Sequence, residues 1–130
     1  MATSSAISTG QQATAAQYNN LRTDALVNEG YKELFSSAHS PTSAATWEDW
    51  DISAIIPATA RCAEIMIVPK DTAAHGCRKN GSALVRYIGA VTYGHPITMF
   101  CETDASRVIE IYSHGSTTSE FQVIGYIDRL

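Results

Sequence analysis

The chain has 130 residues, of which 45% are hydrophobic and 17% charged, and this size corresponds to one ordinary globular domain with a single core. Nine Lys and Arg against thirteen Asp and Glu give a net charge of −4 at pH 7, and the basic residues are scattered. These values disfavour a nucleic-acid-binding role, which needs a concentrated basic surface.

Membrane and disulfide-stapled classes are disfavoured as well. No apolar run approaches the roughly 18 residues that cross a bilayer, and no basic or apolar leader opens the chain, so we expect synthesis in a cytoplasm and no membrane partner. Cys62, Cys77 and Cys101 are odd in number and widely spaced, which fits neither a disulfide framework nor a close metal-ligand pair. We expect them to be reduced core residues.

The first predicted element is a helix over residues 15–29. Thr14 followed by Gln17 forms a capping box, and Gly30 stands where a left-handed C-cap would fall. Four turns bury little apolar surface by themselves, so this helix needs to pack on the rest of the chain or on a neighbouring copy. The residues of its narrow stripe are the expected assembly interface: Tyr18, Leu21, Arg22, Ala25 and Leu26.

A second region begins after a stretch rich in Ser, Ala and Thr at residues 36–46, which predicts a linker. Residues 1–46 would then form an N-terminal arm, and residues 47–130 a separate domain. From Trp47 onward the apolar pattern has period two, with short runs bounded by Gly, Pro, Asn and Asp. The predicted fold is mainly β: an antiparallel β-sandwich of seven or eight strands, jelly-roll or immunoglobulin-like, preceded by one α-helix.

Three of these runs alternate clearly, at residues 63–68, 108–112 and 121–127. In the last run Phe121, Val123, Gly125 and Ile127 are predicted to share one face, because successive strand residues point to opposite sides. Asn80 and Gly81 predict a tight hairpin with a type I′ turn, which needs positive φ at both central residues.

Residues able to carry chemistry are few. His75 and Cys77 would share a strand face, with Asp71 nearby, but no second pair with metal-ligand spacing exists, and packing roles are favoured. The chain also lacks nucleophile-elbow, zinc-protease, phosphate-loop and dinucleotide motifs. We therefore expect no enzyme, no catalytic or metal site and no cofactor.

The aromatic residues suggest a binding surface instead. Trp47 and Trp50 are three apart, so on a strand they point to opposite faces, one toward the core and one toward a rim or interface. Sandwich domains often hold sugars on exposed rings. The candidate surface aromatic contacts are Trp47, Trp50 and Tyr93, and the acidic residues beside the tryptophans are expected to form a solvated edge.

Two parts of the sequence resemble bacteriophage virion proteins. Residues 13–26, ATAAQYNNLRTDAL, are similar to N-terminal helical segments of tail-fibre and appendage proteins. WEDWDIS at 47–53, IP at 56–57 and RKNGS at 78–82 resemble the small β-sandwich modules of the same class. No collagen-like, coiled-coil or β-helical shaft is present, so the resemblance implies a short tip or, more simply, a compact capsid decoration protein.

The resemblance implies a non-enzymatic structural role in the virion, assembled in the bacterial host cytoplasm. The first hypothesis is a capsid decoration or cement protein that stabilises the virion surface as an oligomer, expected to be a homotrimer, and contacts major capsid or tail proteins. The alternative is a tail-fibre or head-fibre module in which Trp and Tyr side chains bind host-surface glycan.

Overall fold

The computed structural model describes residues 30–89, 91–115 and 117–128, which form eight strands. Their bounds are β1 Tyr31–Glu33, β2 Trp47–Asp51, β3 Ala60–Val68, β4 His75–Lys79, β5 Tyr87–Ile88, β6 Ile97–Glu102, β7 Val108–Ser113 and β8 Glu120–Asp128. None of the described segments is a helix of the length and apolarity needed to cross a bilayer. The predicted helix at 15–29, with its five interface residues, lies outside the described residues.

The strands form two antiparallel four-stranded sheets. The first sheet has the order β1-β8-β3-β6 and the second the order β2-β7-β4-β5. The chain passes from one sheet to the other at every connection except that between β4 and β5. This arrangement confirms the predicted mainly β fold with two antiparallel sheets.

The core lies between the sheets and is built by alternation along the strands. In β3, Ile65 and Ile67 are fully buried, and in β7, Ile109 is buried opposite Trp50 of β2. Phe121 of β8 is the largest fully buried side chain of the described residues. Burying each such side chain contributes about 1.5–3 kcal/mol to the stability of the fold, so these core residues hold the two sheets together.

A β-bulge in β8 alters the predicted alternation. Ile65 pairs with Val123, whereas Glu64 pairs with Gly125, so Ile124 is an extra residue on β8. Beyond it Tyr126 packs against the core and Ile127 is exposed. The prediction of one apolar face running from Phe121 to Ile127 is therefore wrong after Val123, because an inserted residue reverses the phase of the strand.

The sandwich begins before the predicted boundary at Trp47. Tyr31–Glu33 pairs with β8 as an edge strand. The next residues continue along the same edge, since the Ser36 N–H donates to the Val123 carbonyl at 2.9 Å and His39 exchanges two backbone bonds with Phe121 at 2.8 Å each. The first part of the expected linker is thus attached to the sandwich. Its composition suggested a linker because residues at a sheet edge gain backbone bonds rather than side-chain burial.

A turn forms at Asn80 and Gly81 as predicted, but the type of the turn and the length of the hairpin differ from the prediction. The Ser82 N–H donates to the Lys79 carbonyl at 3.0 Å, and Gly81 has φ of 72°, while Asn80 is not among the positive-φ residues. Positive φ at the second central residue alone is a feature of type II turns, so the prediction of a type I′ turn is wrong. β5 pairs with β4 only two residues deep, which leaves 82–86 as a loop.

Candidate binding and assembly surfaces

Three aromatic rings form a row on the outer face of the second sheet. Trp47, Tyr112, Gly76 and Tyr87 are successive cross-strand neighbours on β2, β7, β4 and β5. The ring centroids lie 5.2 Å apart for Trp47 and Tyr112 and 5.4 Å apart for Tyr112 and Tyr87. We call these three rings the aromatic row. Their spacing is the one at which aromatic pairs attract one another beyond simple burial.

Gly76 makes the aromatic row possible. It separates Tyr112 from Tyr87 in the register, and with no side chain it lets the two rings meet above the strand. A Cβ placed on Gly76 would collide with the carbonyl oxygen of Arg86 and would lie 2.7 Å from the Tyr87 Cα. Both are backbone atoms, so this position accepts only glycine without displacing β5.

A charged row runs beside the aromatic row on the same face. Asp49, Glu110 and Arg78 are successive cross-strand neighbours. Arg78 Nε donates to Glu110 Oε2 at 2.5 Å, and the guanidinium carbon lies 4.1 Å from the ring centre of Trp47. The ion pair and the cation–π contact fix the guanidinium over the indole. Arg78 therefore covers the ring of Trp47, and Tyr87, which is 46% exposed, is the accessible ring at the other end of the row.

The structure separates the three predicted aromatic contacts. Trp50 is only 6% exposed and stacks on His39 with ring centroids 4.9 Å apart, so its prediction as a surface contact is wrong. Trp47 points to the opposite face, as the spacing predicted, and belongs to the aromatic row. Tyr93 is 61% exposed, but it lies in the β5–β6 connection and not in the row. Burial beneath the indole of Trp50 lowers the pKa of His39.

The acidic residues of β2 have different roles. β2 is an edge strand, and Asp49 is exposed there as a solvated edge charge. Glu48 instead accepts hydrogen bonds from the Thr42 hydroxyl at 2.8 Å and from the Thr42 and Ser43 amides. Burial alone would raise the pKa of Glu48, but these hydrogen bonds outweigh it and lower the pKa. Glu48 therefore anchors the loop before β2.

A buried polar cluster surrounds His75. Its Nε2 lies 2.8 Å from Ser119 Oγ and 3.1 Å from Ser113 Oγ, and its Nδ1 lies 3.1 Å from the Ala73 carbonyl. Because a carbonyl only accepts, Nδ1 donates a proton to the Ala73 oxygen. The Asp71 carboxylate is 3.6 Å from Nε2. The cluster joins the loop between β3 and β4 to the loop between β7 and β8. Because the histidine and both serines are fully buried, the cluster offers no surface to a substrate.

The cysteines also lie mainly inside. Cys77 shares the inner face of β4 with His75, as predicted, and Cys101 is buried on β6. Interaction with the Cys77 thiol, together with burial, raises the pKa of the Cys101 thiol. Cys62 is half-buried, and all three carry free thiols. Among the residues that the structure describes, no three His, Cys, Asp or Glu side chains converge as metal ligands.

Exposed large apolar side chains concentrate on two edges of the sandwich. Arg86 Nη2 donates to the Phe100 carbonyl at 3.0 Å, which ties the loop before β5 to β6. The β5 flank is the exposed surface formed there by Leu84, Val85, Ile88 and Phe100. The β1 flank lies at the opposite edge of the first sheet and comprises Tyr31, Phe35 and Ile127. Neither flank is predicted from the sequence, although the apolar run after Ser82 is a signal for the first.

Comparison of the chain with protein family models, curated proteins and solved structures gives no match. The function is therefore inferred from its own residues. They offer two kinds of surface: an aromatic row beside a charged row, which suits a small polar ligand with flat apolar faces, and two apolar flanks, which suit protein partners.

Proposed function

We propose that the chain is a non-enzymatic structural subunit of a bacteriophage particle, a capsid decoration or cement protein that binds the virion surface as a homotrimer. One observation carries this proposal: of the nine large hydrophobic side chains that are exposed among the described residues, four form the β5 flank, namely Leu84, Val85, Ile88 and Phe100. An exposed apolar surface of this kind on a small domain is typical of a protein–protein interface. The phage resemblance of residues 13–26 and 47–53 indicates the kind of assembly.

The strand order supports the same proposal. β1 and β8 are neighbours, and the chain winds between the sheets at nearly every connection, which favours the jelly roll over the immunoglobulin-like sandwich. Jelly rolls serve both viral capsid proteins and lectins. The fold is therefore compatible with either hypothesis drawn from the sequence.

The N-terminal arm would anchor the subunit. The described sandwich starts at Gly30, so the anchoring segment comprises the residues before it, including the predicted helix at 15–29. In this account its apolar stripe packs on major capsid or tail proteins and bridges a junction between shell subunits. A stable contact of this kind buries about 1,200–2,000 Å², which strengthens the shell against internal pressure.

Deletion of residues 1–28 tests the anchor. We expect the shortened chain to lose binding to particles of the virus that encodes it, while circular dichroism shows that its β structure is retained. Leu21→Asp on the predicted stripe should weaken binding, whereas Thr23→Asp off the stripe should not. Full particle binding by the shortened chain would reject the N-terminal arm as the anchor, and no particle binding by the full chain would reject the decoration proposal.

A second candidate function is host-surface adhesion by a tail-fibre or head-fibre module, and the aromatic row favours it. The C–H face of a pyranose ring packs on an exposed aromatic ring, and Tyr87, 46% exposed at the end of the aromatic row, offers such a ring, whereas Arg78 already covers the ring of Trp47. A glycan array tests this candidate. Binding that disappears in Tyr87→Ala and persists in Tyr93→Ala would support it, and an array without any bound glycan would reject it.

A further inference from the structure

We propose that residues 84–86 of one copy insert into an apolar groove beside β1 of the next copy, so that copies associate head to tail. This inference deepens the proposed homotrimer by naming the contact and its direction. It rests on the self-assembly in the proposed function but not on binding to a virion.

The inserting segment is a loop with two projecting aliphatic side chains. Leu84 is 66% exposed and Val85 is 65% exposed, and both precede the edge strand β5. Their backbone is fixed, since the Leu84 N–H donates to Ser82 Oγ at 3.1 Å and Arg78 Nη1 donates to the Leu84 carbonyl at 3.2 Å. A loop already held in one conformation loses little entropy on binding.

The receiving groove lies at the opposite edge of the sandwich and has a volume of about 510 Å³. It exists because the bulge pushes Ile124 out of the strand alternation and because the Tyr31 ring lies over Gly125. The Tyr31 hydroxyl donates to the Ile124 carbonyl at 3.1 Å, which fixes that wall. The groove is lined by Tyr31, Glu33, Leu34, Phe35, Met66 and Ile124. Its surface is mostly apolar, and Phe35 is 71% exposed.

The charges beside the loop and the groove are complementary. Arg86 follows the projecting side chains and is exposed, with further N–H groups beyond the one that bonds Phe100. Glu33 is exposed on the groove. Insertion of the loop brings these opposite charges together. A two-fold contact between two β5 flanks would instead place Arg86 near its own copy, which is unfavourable.

Head-to-tail direction follows from the positions of the two surfaces. The groove lies at the β1 edge of the first sheet, and the loop lies on the side of β6, the other edge of that sheet. Each copy therefore uses both surfaces with different neighbours. Such contacts close into a ring when the rotation between copies permits, and a three-membered ring is the homotrimer proposed above.

Directional cross-linking of the full chain tests the contact. Val85→Cys and Phe35→Cys variants are purified separately, mixed, and oxidised with diamide, with the unmodified chain as the control for its three native thiols. We expect a covalent dimer in the mixture and none with either variant alone. Cross-linking of Val85→Cys alone, or none in the mixture, would overturn the head-to-tail contact.

Charge exchange provides an independent readout. Arg86→Glu and Glu33→Arg should each weaken self-association about tenfold in Kd, and the double variant should recover most of that loss. A double variant no better than the two single ones would refute the pairing. Neither assay uses a virion, so a lost cross-link with retained particle binding would refute this contact alone, and the reverse result would refute the decoration role.

Discussion

Replacement of Gly76 by alanine tests how the outer face of the second sheet is built. The added Cβ would collide with the Arg86 carbonyl oxygen and would lie 2.7 Å from both the Cα and the Cβ of Tyr87. Two of these three atoms belong to the backbone of β5 and its preceding loop, which cannot rotate away as a flexible side chain could. We expect β5 to shift outward and the Tyr87 ring to leave Tyr112.

The change in the free energy of unfolding follows from one stabilising effect and two destabilising effects. Alanine loses less backbone entropy than glycine on folding, which by itself stabilises by about 0.4–1 kcal/mol. Overpacking against backbone costs about 1–3 kcal/mol. Loss of the ring contact at 5.4 Å between Tyr87 and Tyr112 removes about 0.5–1.5 kcal/mol more. The net expectation is that the free energy of unfolding of Gly76→Ala is lower by about 0.5–4 kcal/mol, since the two destabilising effects outweigh the entropy gain.

Urea unfolding followed by tryptophan fluorescence measures this change. Gly89→Ala is the matched control, because a Cβ there meets nothing within 4 Å and Gly89 does not have positive φ. We expect the control to be neutral or slightly more stable. Equal stability of the Gly76→Ala chain and the unmodified chain, with unchanged tryptophan emission, would refute the close approach of β5.

Three further predictions concern the interior and one loop. His75→Ala should reduce the free energy of unfolding by about 2–4 kcal/mol in urea, because it leaves a cavity and unpaired polar partners. Cys62, half-buried, should react with a thiol reagent before the buried Cys101, whose reaction should need unfolding; simultaneous reaction in the folded state would contradict this order. Hydrogen bonds, first from the Val108 amide, lower the pKa of Asp104 from its ordinary value of 3.8. Because the folded pKa is depressed, its stabilisation is present above that value and lost as pH falls through the folded pKa. Asp104→Asn should therefore unfold more easily at pH 7 and lose this deficit in acid, and a deficit independent of pH would contradict it.

The strands with strict alternation could be predicted because burial on one face leaves a local signal. Residues 63–68 and 108–112 occupy β3 and β7 with the expected inner faces. The bulge at Ile124 could not be predicted, since Ile124 and Tyr126 are both apolar and either phase fits the sequence. Pairing with Glu64 and Ile65, far away in the chain, decides the phase.

The candidate surfaces show a similar division. The spacing of Trp47 and Trp50 predicted opposite faces but not which ring faces the core, because the identity of the inner face depends on pairing with β7. The aromatic row needs three strands in one register, and nothing local to Trp47, Tyr87 or Tyr112 indicates it. The edge strand β1 falls within the predicted arm because three residues that pair on one side only carry little periodicity.

Light scattering of the purified full-length chain during size-exclusion chromatography tests the central claim of assembly most directly. The account predicts a mass three times that of the 14.0 kDa chain, which falls toward one chain in Leu84→Asp and is unchanged in Tyr93→Asp, where an equally exposed side chain outside the contact is altered. A stable particle of 14.0 kDa at micromolar concentration would contradict it.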